Sequence, residues 1–147
     1  METLVIGCGN PLRGDDAVGL AVAECLEQIL TAESNRKVTI LQCQQLLPEL
    51  SEPMSKAKQV IVVDAAVGEN PGEVYCENLL PVGLSAPDFS HHVTPAVLLA
   101  YVQTLYGRSP QTTLIGITAK SFDLGAELST EVSCGVETAV ALIQTLI

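Results

Sequence analysis

At 147 residues with 48% hydrophobic content, the chain has the size of one domain around one core, expected to span residues 1–147. Its formal charge of −10, from 17 acidic against 7 basic residues, opposes binding to nucleic acid or anionic lipid, which need clustered Lys and Arg. Three Tyr, two Phe and no Trp leave an aliphatic core, which suits helices packed on a buried sheet better than a β-sandwich.

No apolar run approaches the roughly 20 residues that span a bilayer, and the N-terminus enters an apolar run without a basic leader, so a cytoplasmic protein is expected. Cysteines at 8, 25, 43, 76 and 134 are odd in number, widely spaced and without a CxxC pair. They read as small hydrophobic packing residues in a reducing compartment.

Thr3 to Ile6 is a β-branched run ended by Gly7, and Asp15 to Leu30 then carries Val18, Val22, Leu26 and Ile29 at helical spacing. Lys37 to Cys43 reads as a second strand, Leu46 to Lys56 as a short helix interrupted by Pro48 and Pro53, and Gln59 to Val63 as a third strand. Gly72 to Leu79 alternates weakly after the turn Asn70-Pro71-Gly72 and suggests an added strand. Thr94 to Tyr106 is expected as a helix with Thr94 as N-cap, Pro95 at its first position and Gly107 as C-cap. Thr112 to Ile117 completes the strands and Val132 to Ile147 forms a closing amphipathic helix.

This alternation predicts an α/β fold: a three-layer α/β/α arrangement with a mainly parallel, twisted sheet of about five strands and helices on both faces. Ligands gather at the carboxyl ends of strands in such sheets, so residues leaving the strands come first.

The loop after the first strand, Gly7-Cys8-Gly9-Asn10-Pro11-Leu12-Arg13-Gly14-Asp15-Asp16-Ala17-Val18-Gly19, delivers two carboxylates to a helix start. Its glycines do not follow G-x-G-x-x-G, the acids stand where a pyrophosphate would, no acid ends the second strand, and no G-K-[ST] follows, all of which oppose a nucleotide-binding module. Asp15 and Asp16 have an ordinary reading as helix caps. One Asp suffices for that, and Asp16 gains weight from Asp64, which leaves Val60-Ile61-Val62-Val63 at the same sheet edge. A carboxylate there is costly unless paired, solvated or metal-bound, although a loop-capping Asp is common at such a place.

His91 and His92 are the only histidines and stand immediately before the Thr94 helix. Adjacent histidines in a loop are often merely exposed, yet two carboxylates and one imidazole form an O, O, N set suited to nickel or zinc with coordination positions left open. No G-x-S-x-G or H-E-x-x-H occurs, and Cys8 has no histidine that sequence alone can set beside it.

The Gly7 to Gly19 loop, the apolar strand ending in Asp64-Ala65, the Ser90-His91-His92 helix entry, Gln45-Leu46-Leu47-Pro48-Glu49-Leu50 and Ser121-Phe122-Asp123-Leu124-Gly125-Ala126-Glu127-Leu128-Ser129 together resemble the hydrogenase maturation endopeptidases over nearly the whole chain. The resemblance implies a twisted sheet flanked by helices. It also implies an endopeptidase that removes the C-terminal extension of a nickel-iron hydrogenase large-subunit precursor after nickel insertion. The family's acidic ligands fall on Asp16, where many members have Glu, and on Asp64. Its histidine falls on His91, since the pattern His, any residue, apolar, small matches His91-His92-Val93-Thr94; His92 is the alternative. Ile117-Thr118-Ala119-Lys120 departs from the family, many members of which carry a Pro-Glu pair there.

On this reading Asp16 and Asp64 are catalytic and, with the histidine, hold nickel that arrives in the precursor; no organic cofactor is expected. Gly9, Asn10 and Asp15 are candidate substrate contacts, and the backbone N–H groups of Gly7 to Asn10 either steady an oxyanion or form a plain tight turn. The expected partner is the precursor, with no nucleic acid and no membrane, and the chain is expected to act as a monomer. A non-catalytic nickel-binding assembly factor for the same precursor is the alternative.

Overall fold

The computed structural model describes residues 2–32, 37–81 and 93–147. Five strands, β1 (Thr3–Cys8), β2 (Val38–Cys43), β3 (Gln59–Ala66), β4 (Val74–Leu79) and β5 (Gln111–Thr118), form one sheet in the order β2-β1-β3-β5-β4. β1, β2, β3 and β5 run parallel and β4 pairs antiparallel with β5 at the edge, so the mainly parallel five-stranded sheet is present as expected.

The strands alternate their apolar residues between two helical layers, as a sheet covered on both faces requires. On one face Val5, Ile61, Val63, Ile115 and Ile117 pack with Val18, Val22 and Leu26 of α1 (Val18–Ala32) and with Val132, Ala139 and Ile143 of α4 (Thr130–Leu146). On the other, Leu4, Ile6, Cys8, Val60 and Val62 meet Met54 of the short α2 (Ser51–Ser55) and Leu98 and Val102 of α3 (Pro95–Tyr106).

Helix α3 begins and ends as its sequence dictates. The Thr94 hydroxyl accepts from the Val97 N–H, Pro95 needs no partner for a missing N–H, and Gly107 takes the left-handed conformation (φ 67°) that closes the helix. The first helix is divided, however: a 3-10 turn at Gly14–Ala17 precedes α1, and neither acid in it caps its own helix start. Pro48 and Pro53 restrict the expected Leu46–Lys56 helix to a 3-10 turn at Pro48–Leu50 and the five residues of α2.

The sheet order sets the site. From β1 the chain crosses to β2 on one side and then to β3 on the other, so the carboxyl ends of β1 and β3 flank the point where the winding reverses. Open α/β sheets bind ligands at such a point, and the loop after β1 and the last residues of β3 both lie there.

Candidate active site

Asp64 lies inside β3, opposite Gly116 of β5, because pairing with β5 continues as far as Ala66 and Thr118. By strand alternation it shares the face of Val60 and Val62, towards α2 and α3. The preceding residue of the ladder, Val63, is in register with Gly7, which puts Asp64 level with the exit of β1. Its Oδ1 accepts from the Ala65 N–H at 2.8 Å. Burial pushes its carboxyl from the ordinary 3.8 up to about 6; the Ala65 N–H opposes this shift, and the nearby charge of Asp16 adds to it.

Asp16 reaches that position from the 3-10 turn, where its Oδ2 accepts from the Asn10 N–H at 2.8 Å. Asn10 is held in turn by an Asx-type bond, its Oδ1 accepting from the Leu12 N–H at 2.9 Å. The loop can close this tightly only because of its glycines. A Cβ on Gly9 would lie 1.8 Å from the Asp16 carbonyl oxygen, and one on Gly19 would lie 2.3 Å from the Cys8 carbonyl oxygen and 2.5 Å from that of Val63. Helix α1 therefore sits directly on the ends of β1 and β3, with backbone against backbone.

Asp15 is placed differently. It is 1% exposed, and its carboxylate accepts from the Lys120 N–H (2.8 Å), the Ser121 N–H (3.1 Å), the Ser129 N–H (2.7 Å) and the Ser129 hydroxyl (2.9 Å). Burial alone would raise its pKa, but these donors outweigh it and hold the carboxyl below the usual carboxylate range. The expected helix-cap role is thus corrected: Asp15 anchors the segment that leads into α4, more than 100 residues away. All four of those bonds occupy the oxygens that a substrate contact would use. Two backbone bonds, Asp15 N–H to the Ser121 carbonyl and Gly125 N–H to the Leu12 carbonyl (each 2.9 Å), fasten the Ser121–Ser129 stretch along the glycine-rich loop.

The N–H groups of Gly9 and Asn10 are also engaged, the first with the Cys43 carbonyl at 3.0 Å and the second with Asp16. In this conformation both serve the tight turn and leave neither N–H aimed at an oxyanion.

The cysteines require a further correction. Cys8 and Cys25 pack in or against the core, but Cys76 and Cys134 are exposed, and Cys43, half-buried at the end of β2, is the register partner of Cys8 and packs against the same cluster. Its neighbour Cys43, burial, and the charges of Asp64 and Asp16 push the Cys8 thiol up, while Cys8 draws the Cys43 thiol down. Cys43 was missed as a neighbour of the site because nothing in its local sequence shows that β2 pairs with β1 in this register.

His91 and His92 lie outside the described residues. The chain is described again from Val93, which packs against the cluster containing Cys8 and Leu46. Among the described residues no group of three or more His, Cys, Asp and Glu is arranged to hold a metal ion, no Lys or Arg pairs with Asp16 or Asp64, and no helix is long and apolar enough to cross a membrane. Two of the three expected ligands are brought together; the third is the histidine.

Comparison with known proteins agrees with this architecture. The family model for hydrogenase maturation protease matches residues 20–146. A curated Methanocaldococcus jannaschii protein described as a hydrogenase maturation protease is 28% identical over 97% of this chain and 94% of its own. The hydrogenase maturating endopeptidase HybD from E. coli superimposes with a TM-score of 0.76 at 26% identity, covering 99% of this chain and 91% of that one. The [NiFe] hydrogenase maturation protease HycI from Thermococcus kodakarensis KOD1 does so with a TM-score of 0.78 at 27% identity and the same coverage. With a family match over most of its length and the fold of solved maturation endopeptidases, this chain belongs to the hydrogenase maturation protease family and is a peptidase.

Proposed function

We propose that this peptidase removes the C-terminal extension of a nickel-iron hydrogenase large-subunit precursor once nickel has been inserted, and that Asp16, Asp64 and His91, or His92 in its place, grip that nickel. One observation carries the reading. Asp64 is half-buried at the β1/β3 switch point near a second carboxylate, its charged form is disfavoured, and among the described residues no cation relieves it. A site that concentrates negative charge without a resident partner is complementary to a cation delivered from outside.

Two carboxylate oxygens and one imidazole nitrogen form a donor set that suits nickel and leaves positions for the precursor's own ligands. The metal enters as cargo of the substrate. Held beside the scissile peptide, it would polarise the carbonyl or lower the pKa of a bound water. Asp64, the carboxylate beside the metal, would take a proton from the attacking water and return it to the departing amide nitrogen. Asp16 stays oriented by the Asn10 N–H. The family membership of the chain and the placement of the two carboxylates support this division of roles.

The test is to incubate the protein with nickel-loaded and nickel-free precursor and follow the mass of the large subunit. Tail removal only from the loaded form is expected. Equal cleavage of both would end the metal-sensing proposal, and tight binding of loaded precursor without cleavage would make the protein an assembly factor.

A further inference from the structure

We propose that Cys8 and Cys43 form a reversible disulfide beside the Asp16–Asp64 carboxylate pair, making this dithiol an oxidation site that controls the enzyme. The two residues are register partners at the last pair of the parallel β1–β2 ladder. Neighbouring strands lie about 4.8 Å apart, inside the roughly 4.4–6.8 Å window of Cα separations that a disulfide spans and below its usual 5.5–6 Å. That separation lies within disulfide reach but short of the usual span, so closing the bridge strains the strand ends and leaves the bond easily reduced.

Side-chain direction agrees. Cys8 belongs to the core cluster on the α2/α3 face, and Cys43, its register partner, packs against the same cluster together with Leu41. The Gly9 N–H to Cys43 carbonyl bond clamps the two strands at this point. Access is unequal, which sets an order. Cys43 is half-buried and meets the oxidant, whereas Cys8, 5% exposed, serves as the resolving thiol.

The chemistry balances with a hydroperoxide as oxidant. The Cys43 thiol is oxidised to a sulfenic acid as hydrogen peroxide is reduced and one water leaves. The Cys8 sulfur then attacks the Cys43 sulfur, the S–S bond forms, and the sulfenic oxygen departs as a second water with the Cys8 hydrogen. A dithiol reductant restores both thiols. The other cysteines have no such partner: Cys25 lies on α1 at the opposite face, while Cys76 and Cys134 lie exposed on β4 and α4.

Cys8 leads directly into Gly9 and Asn10, and Asn10 orients Asp16, so tightening the bridge shifts a carboxylate of the site. This consequence rests on the processing activity proposed above; the bridge itself does not. The full chain, reduced and then treated with hydrogen peroxide, is alkylated, digested and weighed. Expected are linked peptides carrying Cys8 and Cys43, a loss of two hydrogens, and reversal by dithiothreitol. Cys43→Ser should yield no such link. Recovery of both Cys8 and Cys43 as free, alkylated thiols, or bridging only through Cys25, Cys76 or Cys134, would overturn the proposal. The linked peptides decide the bridge whether or not the reduced protein cleaves precursor. If it does, oxidation should slow processing on the order of a hundred-fold, the scale of a roughly 1 Å misplacement at a reacting centre, and leave Cys43→Ser at its untreated rate. Bridge formation with an unchanged rate would remove the control role.

Discussion

Replacing Asp64 by Asn should make the protein more stable and inactive, and the gain should depend on pH. Burial and the neighbouring Asp16 raise the Asp64 carboxyl from 3.8 to about 6 in the folded chain. Between those values the folded protein keeps a proton that the unfolded chain has released, so raising the pH costs stability until the folded group has ionised. The move from 3.8 to about 6 corresponds to about 3 kcal/mol, fully lost above neutral pH and regained below about pH 4. The amide introduced by Asp64→Asn carries no charge at any pH and still offers an oxygen to the Ala65 N–H. The variant's advantage over the parent should be about 1 kcal/mol near pH 4.5 and about 3 kcal/mol near pH 7.5. The larger figure corresponds to a rise in melting temperature of roughly 6–12 °C for a chain of this length. Urea unfolding followed by far-UV circular dichroism at the two pH values measures the difference, and other carboxylates cancel because both proteins carry them. An advantage that stays constant with pH, or that is largest in acid, would refute the account of Asp64 as a half-buried charge that costs the fold stability.

Asp15→Ala should lower the unfolding free energy by about 2–3 kcal/mol, since it leaves three part-buried N–H groups without their charged acceptor, and thermal melts should show it. Acid should erode the same contribution: a carboxyl held below its ordinary range stabilises the fold above pH 4 and ceases to do so as the pH falls through its folded value. Gly19→Ala would gain about 1 kcal/mol in an ordinary helix, but here it should cost roughly 1–3 kcal/mol, because its methyl meets two carbonyl oxygens of the sheet; a denaturant midpoint above that of the parent would contradict the packing. His91→Ala should abolish precursor processing while His92→Ala retains it, and the reverse result in a mass-based cleavage assay would move the ligand role to His92.

The features legible in the sequence are those whose causes are local. Thr94, Pro95 and Gly107 mark α3 because capping chemistry needs only neighbouring residues. The apolar runs of β1, β3 and β5 declare buried parallel strands, and Asp64 at the end of one such run is visible as a charge in an expensive place. Features set by distant pairing are not legible. Asp15 resembles a cap until Lys120, Ser121 and Ser129 arrive from the far end of the chain. The antiparallel sense of β4 is decided by its pairing with β5, to which its weak alternation gives no clue. Cys8 and Cys43 look like separate packing residues, and only the register of β1 with β2 makes them a pair.

The partners of Asp15 follow it by 105 to 114 residues, and this carries a consequence for biosynthesis. A nascent chain still short of Ser129 has already exposed both aspartates and the glycine-rich loop, but it lacks the donors that fix that loop in shape. Until Lys120, Ser121 and Ser129 have been synthesised, the Asp15 carboxylate has none of the donors that hold it in the folded protein.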